Sequence, residues 1–63
     1  MLHQFLFKTF DDYKAAYRHL LTMGIGFWYN QDTPSIKIDD RQELDLFDFH
    51  RFEKDFEAIK INS

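Results

Sequence analysis

The density of aromatic side chains constrains this fold more than any other feature of the sequence. Eight Phe, three Tyr and one Trp occur among 63 residues, and there is no cysteine. Ordering a chain of this length costs on the order of 90 kcal/mol, at about 1.5 kcal/mol per residue, and so small a core barely offsets it. Disulfides and thiolate metal sites cannot contribute stability. Because each aromatic ring buries a large apolar area, the sequence predicts one domain over residues 1–63 with a core of rings.

The first third of the chain has the pattern of a strand followed by a helix. Residues 2–7 form a short apolar run with both faces partly apolar, which indicates a central strand. Thr9 and Asp12 make an N-cap pattern, and Gly24 is a typical helix stop, so we predict a helix over residues 10–23. The apolar residues at helical spacing, expected to face the core, are Phe10, Tyr13, Tyr17, Leu20 and Leu21.

The next segment is typical of a β-hairpin. Residues 25–29 are β-branched and aromatic, residues 30–34 are turn-forming and contain the only proline, and residues 35–39 alternate. Alternation places Ile36 and Ile38 on one face of the second strand.

Trp28 lies on the strand face opposite Ile25, and we expect it to share a sheet face with Leu2 and Leu6. Two interpretations are open. A second helix covers this face, or the face is an exposed aromatic patch that serves dimerisation or a partner.

The C-terminal third allows two structures. A single helix from Asp40 to about residue 58 would leave Leu46 and Phe47 in water. Alternatively, residues 43–47 are extended and a helix begins after an Asp48 cap, which avoids that exposure and is favoured. The residues that this helix would direct inward are Phe49, Phe52, Phe56 and Ile59. The predicted order is β-α-β-β-(β)-α, an α+β fold with a small mixed or antiparallel sheet and two helices packed on it.

Signatures of catalysis and of cofactor binding are missing from the sequence. There is no glycine-rich phosphate loop, and no serine lies in a nucleophile elbow. His3, His19 and His50 lie on three predicted elements without metal-ligand spacing. Paired acids such as Asp39 and Asp40 ordinarily cap helices rather than transfer protons. We therefore predict a non-catalytic protein without metal or cofactor.

Negative charge is concentrated in the C-terminal half. Residues 39–57 hold eight carboxylates and three cations, in a chain of net charge −3. This balance argues against a nucleic-acid ligand. An acidic surface can dock on a basic partner or act as a DNA mimic, although a solvated helix face explains the same run. With no long apolar run and no signal-peptide layout, the sequence predicts a cytoplasmic protein that does not enter membranes.

The segment from Gln42 to Phe47 resembles a known short motif. Leu44-Asp45-Leu46-Phe47 is similar to the last four positions of the clamp-binding motif of bacterial replication and repair proteins, commonly Gln-Leu-Asp/Ser-Leu-Phe. Here Glu43 occupies the usual Gln position, and Gln42 is offset by one. The resemblance implies that the Leu-Phe pair fills a pocket on the sliding clamp and that the Gln side chain hydrogen-bonds beside it.

Together these features predict a protein that acts by binding another protein. In size, aromatic density and acidity, the chain resembles in type the small inhibitors that bacteriophages make against host enzymes. We expect it to inhibit or modulate a host DNA-replication or DNA-transaction protein, with the sliding clamp as first candidate. A homodimer is also expected, and the alternative function is a structural or regulatory homodimer without such a target. The candidate contact residues are Asp39, Asp40, Gln42, Leu44, Asp45, Leu46, Phe47, Asp48 and Trp28.

Overall fold

The described part of the chain folds as a four-stranded antiparallel sheet with two helices. The computed structural model describes residues 1–44 and 46–61. Its elements in chain order are β1 (Leu2–Phe7), α1 (Phe10–Met23), β2 (Trp28–Asn30), β3 (Ser35–Asp39), α2 (Phe49–Asp55) and β4 (Ala58–Ile61). The strands lie in the order β2-β3-β1-β4, and every pairing is antiparallel. The predicted α+β class is confirmed, and this element order is that of the split-βαβ, or ferredoxin-like, motif.

Helix α1 has the predicted bounds. The Thr9 hydroxyl accepts a hydrogen bond from the Asp12 amide at 3.1 Å, and Gly24 ends the helix in the left-handed region with φ of 71°, where a side chain would add strain. The inward face is narrower than expected. Phe10 and Leu21 are exposed, so their predicted core positions are wrong; the buried residues of α1 are Tyr13, Ala16 and Leu20.

Both helices pack on one face of the sheet, which we call the inner face. Strand β1 is central, as predicted, and sends Phe5 and Phe7 inward. The Phe52 ring of α2 packs edge-on to Phe5, with centroids 5.1 Å apart, and Tyr13 of α1 contacts Phe7. Ile36 of β3 is also fully buried. The core is therefore a single aromatic-rich layer between this face and the helices.

The fourth strand follows α2 instead of preceding it. Asp48 caps α2 as predicted, but the helix ends at Asp55, and Glu57 has a positive φ of 49°. That conformation is unfavourable for a residue with a side chain and interrupts the helix. Residues 58–61 then pair with the free edge of β1, so Ile59 is not the inward helical residue that was expected.

The optional strand over residues 43–47 is absent from the four of these residues that the structure describes. Glu43, Leu44, Leu46 and Phe47 lie outside every helix and strand, and the Phe47 amide donates to the Leu44 carbonyl at 3.0 Å, closing a turn. Leu44 and Phe47 both pack against the core, and an alternating strand could not direct these two residues to one side.

The opposite side of the sheet, the open face, is covered by neither α1 nor α2. The interpretation in which the second helix covers this side is wrong, because α2 packs on the inner face. Strand register and alternation place on the open face Leu2, Gln4, Leu6, Trp28, Asn30, Ser35, Lys37, Asp39, Ile59 and Ile61. No helix among the described residues is long and apolar enough to cross a membrane.

Candidate protein-binding site

The turn that holds Leu44, Leu46 and Phe47, here called the Leu46 turn, directs its apolar residues in two directions. The Phe47 ring is half-buried, with its centroid 4.9 Å from that of Phe49 and 5.3 Å from that of Phe52. The Leu46 side chain is 92% exposed. Phe47 therefore packs on the core, while the adjacent Leu46 side chain extends into solvent.

Shallow cavities surround Leu46. One, of about 240 Å³, lies between the turn and the end of α1 and is lined in part by Met23 and Ile25. A second, of about 260 Å³, extends along α2 and includes Arg51 and Phe56. An exposed apolar side chain beside one largely apolar cavity and one cavity of mixed polarity can interdigitate with a complementary protein surface.

Gln42 is engaged within the chain. Its Oε1 accepts from the Gly26 amide at 2.9 Å, and its Nε2 donates to the Gly26 carbonyl at 2.7 Å. The same Nε2 also lies 3.1 Å from the Asp39 carbonyl. The side chain thereby ties the segment after β3 to the segment before β2. Because the Gln42 amide is already hydrogen-bonded within the chain, we do not expect it to contact a partner.

Asp39 is held by Arg41. The guanidinium donates to both carboxylate oxygens, with the shortest contact at 2.6 Å, and the Arg41 amide donates to Oδ1 at 3.0 Å. These hydrogen bonds stabilise the charged carboxylate and hold the pKa of Asp39 well below its usual value. The same pair raises the pKa of Arg41.

Asp40 joins the chain start to the end of β3. The amino-terminal ammonium of Met1 donates to Oδ1 at 2.8 Å, and Nε2 of His3 lies 2.9 Å from Oδ2. The ammonium, and then His3, lower the pKa of Asp40. The His3 ring also stacks on Phe49 at 4.0 Å, which holds the histidine against α2.

Asp48 caps α2. Its Oδ1 accepts from the His50 amide at 2.9 Å and from the Arg51 amide at 3.2 Å, which satisfies amides that lack helical partners. Three of the four predicted acidic contact residues thus have internal roles in the fold. The fourth, Asp45, lies outside the described residues.

The predicted site residues do not form one surface. Leu44, Leu46 and Phe47 share the Leu46 turn, whereas Trp28 lies on the open face and is 59% exposed. Sequence reasoning missed Met23 beside Leu46, and it missed Ile59 and Ile61 on the open face. The alternation of residues 58–61 was the signal for β4 and its outward isoleucines.

Neither a metal centre nor a known relative guides the assignment. Residues 1–44 and 46–61 contain no group of three or more His, Asp and Glu side chains that could hold a metal ion. Comparison of the chain with protein-family models, curated protein sequences and solved structures finds no match. The function is therefore inferred from the chemistry of the protein surface.

Proposed function

We propose that this protein acts without catalysis, by binding another protein through the Leu46 turn. The observation that carries the proposal is the 92% exposure of Leu46 on a turn anchored at Phe47. Burial of a large, water-exposed apolar side chain by a partner lowers the free energy of the complex. Because the neighbouring Phe47 already packs on the core, less conformational entropy is lost on binding than for a free chain.

The proposed target is a host protein of DNA replication or another DNA transaction, and the proposed effect is inhibition or modulation, as with small phage inhibitors. The sliding clamp is the first candidate because residues 42–47 resemble its ligands. The geometry of the turn indicates how each residue of the Leu-Phe pair could reach a clamp pocket. Leu46 can enter a clamp pocket directly, whereas Phe47 must first leave its contacts with Phe49 and Phe52. Binding by both residues would therefore require the turn to open.

A DNA mimic receives less support than an apolar contact. Asp39 is paired with Arg41, Asp40 accepts from the amino terminus, and Asp48 caps α2. A mimic of phosphates needs carboxylates that present unneutralised charge to a basic channel. We therefore place the principal contact at Leu46.

Binding of purified bacterial sliding clamp to the full chain tests the proposal. Replacing Leu46 by Ala should leave folding within about 0.5 kcal/mol, since the side chain is exposed. The same substitution should weaken clamp binding by about 2 kcal/mol, or roughly thirtyfold. Leu21→Ala is the matched control, because Leu21 is an exposed leucine of α1 that lines none of the cavities around Leu46.

Equal clamp affinity in the wild type and both variants would remove Leu46 from the interface. If the wild type does not bind the clamp, the clamp is excluded, and capture from bacterial lysate then tests the broader proposal. Proteins that the wild type and the Leu21→Ala variant retain, and the Leu46→Ala variant loses, are the expected targets. Identical capture by all three would contradict binding through the Leu46 turn.

A further inference from the structure

All three tyrosines of the chain meet where α1 packs beside β2. Tyr13 and Tyr17 lie one turn apart on α1, and their ring centroids are 6.1 Å apart. Tyr29 belongs to β2. Its ring is nearly perpendicular to that of Tyr17, at an angle of 82°, and the two centroids are 5.0 Å apart. Perpendicular rings at this separation are in van der Waals contact. Two phenols distant in sequence therefore touch across the boundary between a helix and an edge strand.

The three phenols differ in their freedom to move. Tyr29 is 58% exposed, on a strand whose residues are all exposed. Tyr17 is half-buried, and its ring also contacts Phe27. Tyr13 is buried in the core and contacts Phe7. An exposed side chain changes rotamer within nanoseconds, whereas a core ring is held by close-packed neighbours. Tyr29 is therefore the ring that can turn to bring its reactive carbons against Tyr17.

A covalent link between Tyr17 and Tyr29 would join two elements that no disulfide can join. Small domains are commonly stabilised by disulfides or metals, but this chain contains no cysteine. Strand β2 is three residues long and lies at the edge of the sheet, where it pairs with β3. Partial burial, and then the adjacent Tyr29 hydroxyl, raise the pKa of Tyr17. Tyr17 is thus a neutral phenol near neutral pH and loses a proton when it loses an electron.

We propose that Tyr17 and Tyr29 form an oxidative cross-linking site, at which a one-electron oxidant couples the two rings into a dityrosine that joins α1 to β2. Each phenol gives one electron to the oxidant and its hydroxyl proton to water. The two phenoxyl radicals form a carbon–carbon bond between ring carbons ortho to the oxygens, and the hydrogens on those carbons move to the oxygens. The product has lost two hydrogen atoms, and the oxidant has gained two electrons. This site is separate from the Leu46 turn and goes beyond the function proposed above.

Brief illumination of the full chain with ruthenium tris-bipyridyl and persulfate, which together act as a one-electron oxidant, tests the proposal. The wild type should yield a monomer that is two hydrogen atoms lighter and has dityrosine fluorescence. Its yield should not depend on protein concentration, because the reaction is intramolecular. Trypsin leaves the three tyrosines on separate peptides, residues 9–14, 15–18 and 19–37. The cross-link should join the second of these peptides to the third.

Conservative variants assign the reacting rings. Tyr17→Phe and Tyr29→Phe should each abolish the cross-linked monomer, whereas Tyr13→Phe, the matched control, should keep the wild-type yield. Urea should also abolish it in the wild type, since the contact depends on the fold. The purified cross-linked monomer should melt about 10 °C higher than the untreated protein, because the link restricts the unfolded chain.

Four results would overturn the proposal. They are a cross-link that involves residues 9–14 instead, an undiminished yield in Tyr29→Phe or in urea, covalent dimers as the sole product, and an unchanged melting temperature of the cross-linked monomer.

Discussion

The two faces of the sheet differ sharply in how far their side chains are buried. On the inner face, Phe5 is fully buried and Phe52 is 3% exposed, in contact with one another and with rings from other elements. On the open face, Trp28 is 59% exposed and Leu2 and Ile59 are about half exposed. A short chain can bury only part of its aromatic surface. The difference therefore separates residues that stabilise the monomer from residues available to a partner.

The largest expected effect compares the two faces directly. Phe52→Ala should cost about 3–5 kcal/mol of unfolding free energy, because it leaves a cavity among the core rings. Such a loss is comparable to the total stability of a small domain, so this variant should be largely unfolded. Trp28→Ala should change stability by about 0.5 kcal/mol or less. Chemical denaturation followed by circular dichroism measures both, and equal losses would erase the distinction between the faces.

A smaller effect should appear within the Leu46 turn. Phe47→Ala removes a half-buried ring that contacts Phe49 and Phe52, and we expect it to cost about 2 kcal/mol, less than full burial would. Leu46→Ala should be nearly neutral in stability. Thermal melts of the two variants test this. A large loss from Leu46→Ala would mean that Leu46 is a core residue and would leave the proposed function without its main support.

The smallest expected effect concerns acid stability. Asp39 and Asp40 have pKa values lowered from 3.8 by their hydrogen bonds. Their contribution to stability is therefore present above the ordinary carboxylate pKa and is lost as pH falls below it toward the lowered values. The Asp39→Asn/Asp40→Asn variant should be slightly less stable near neutral pH and should lose less stability than the wild type on acidification.

Urea unfolding at a series of pH values provides the measurement for that variant. Glu43→Gln is the control, since Glu43 is an exposed carboxylate outside these contacts. An acid profile of the double variant that is parallel to the wild-type profile would contradict the assigned hydrogen bonds.

Local signals predicted much of this architecture. The Thr9 cap and Gly24 located α1 at its observed bounds, and the turn residues before Ser35 located β3. The first hairpin strand was predicted over residues 25–29, but β2 is Trp28–Asn30. One feature, strand β4, depended on the rest of the molecule. Residues 58–61 alternate like a strand, but they follow helical spacing closely enough to extend α2 in the sequence pattern. The free edge of β1 decides the matter, because it offers hydrogen bonds that a longer helix could not use.

The candidate site was less predictable than the fold. The motif at residues 42–47 made Leu46 a candidate contact residue, but spacing could not show that Phe47 turns inward or that Gln42 binds Gly26. The Asp48 cap was predicted from the sequence, but the charge pattern did not show that Asp39 pairs with Arg41 or that Asp40 pairs with the amino-terminal ammonium. Such pairings join residues distant in sequence or depend on turn geometry, and composition carries no record of either.

Accessibility of Trp28 in the free protein tests the central claim most directly. We predict that its emission is close to that of tryptophan in water, and that acrylamide quenches it efficiently at every protein concentration. Denaturant should then change the emission maximum little, although circular dichroism reports complete unfolding. A blue-shifted, poorly quenched tryptophan in the folded monomer would show that the open face is covered by the chain itself, and would contradict the division between a packed face and an available one.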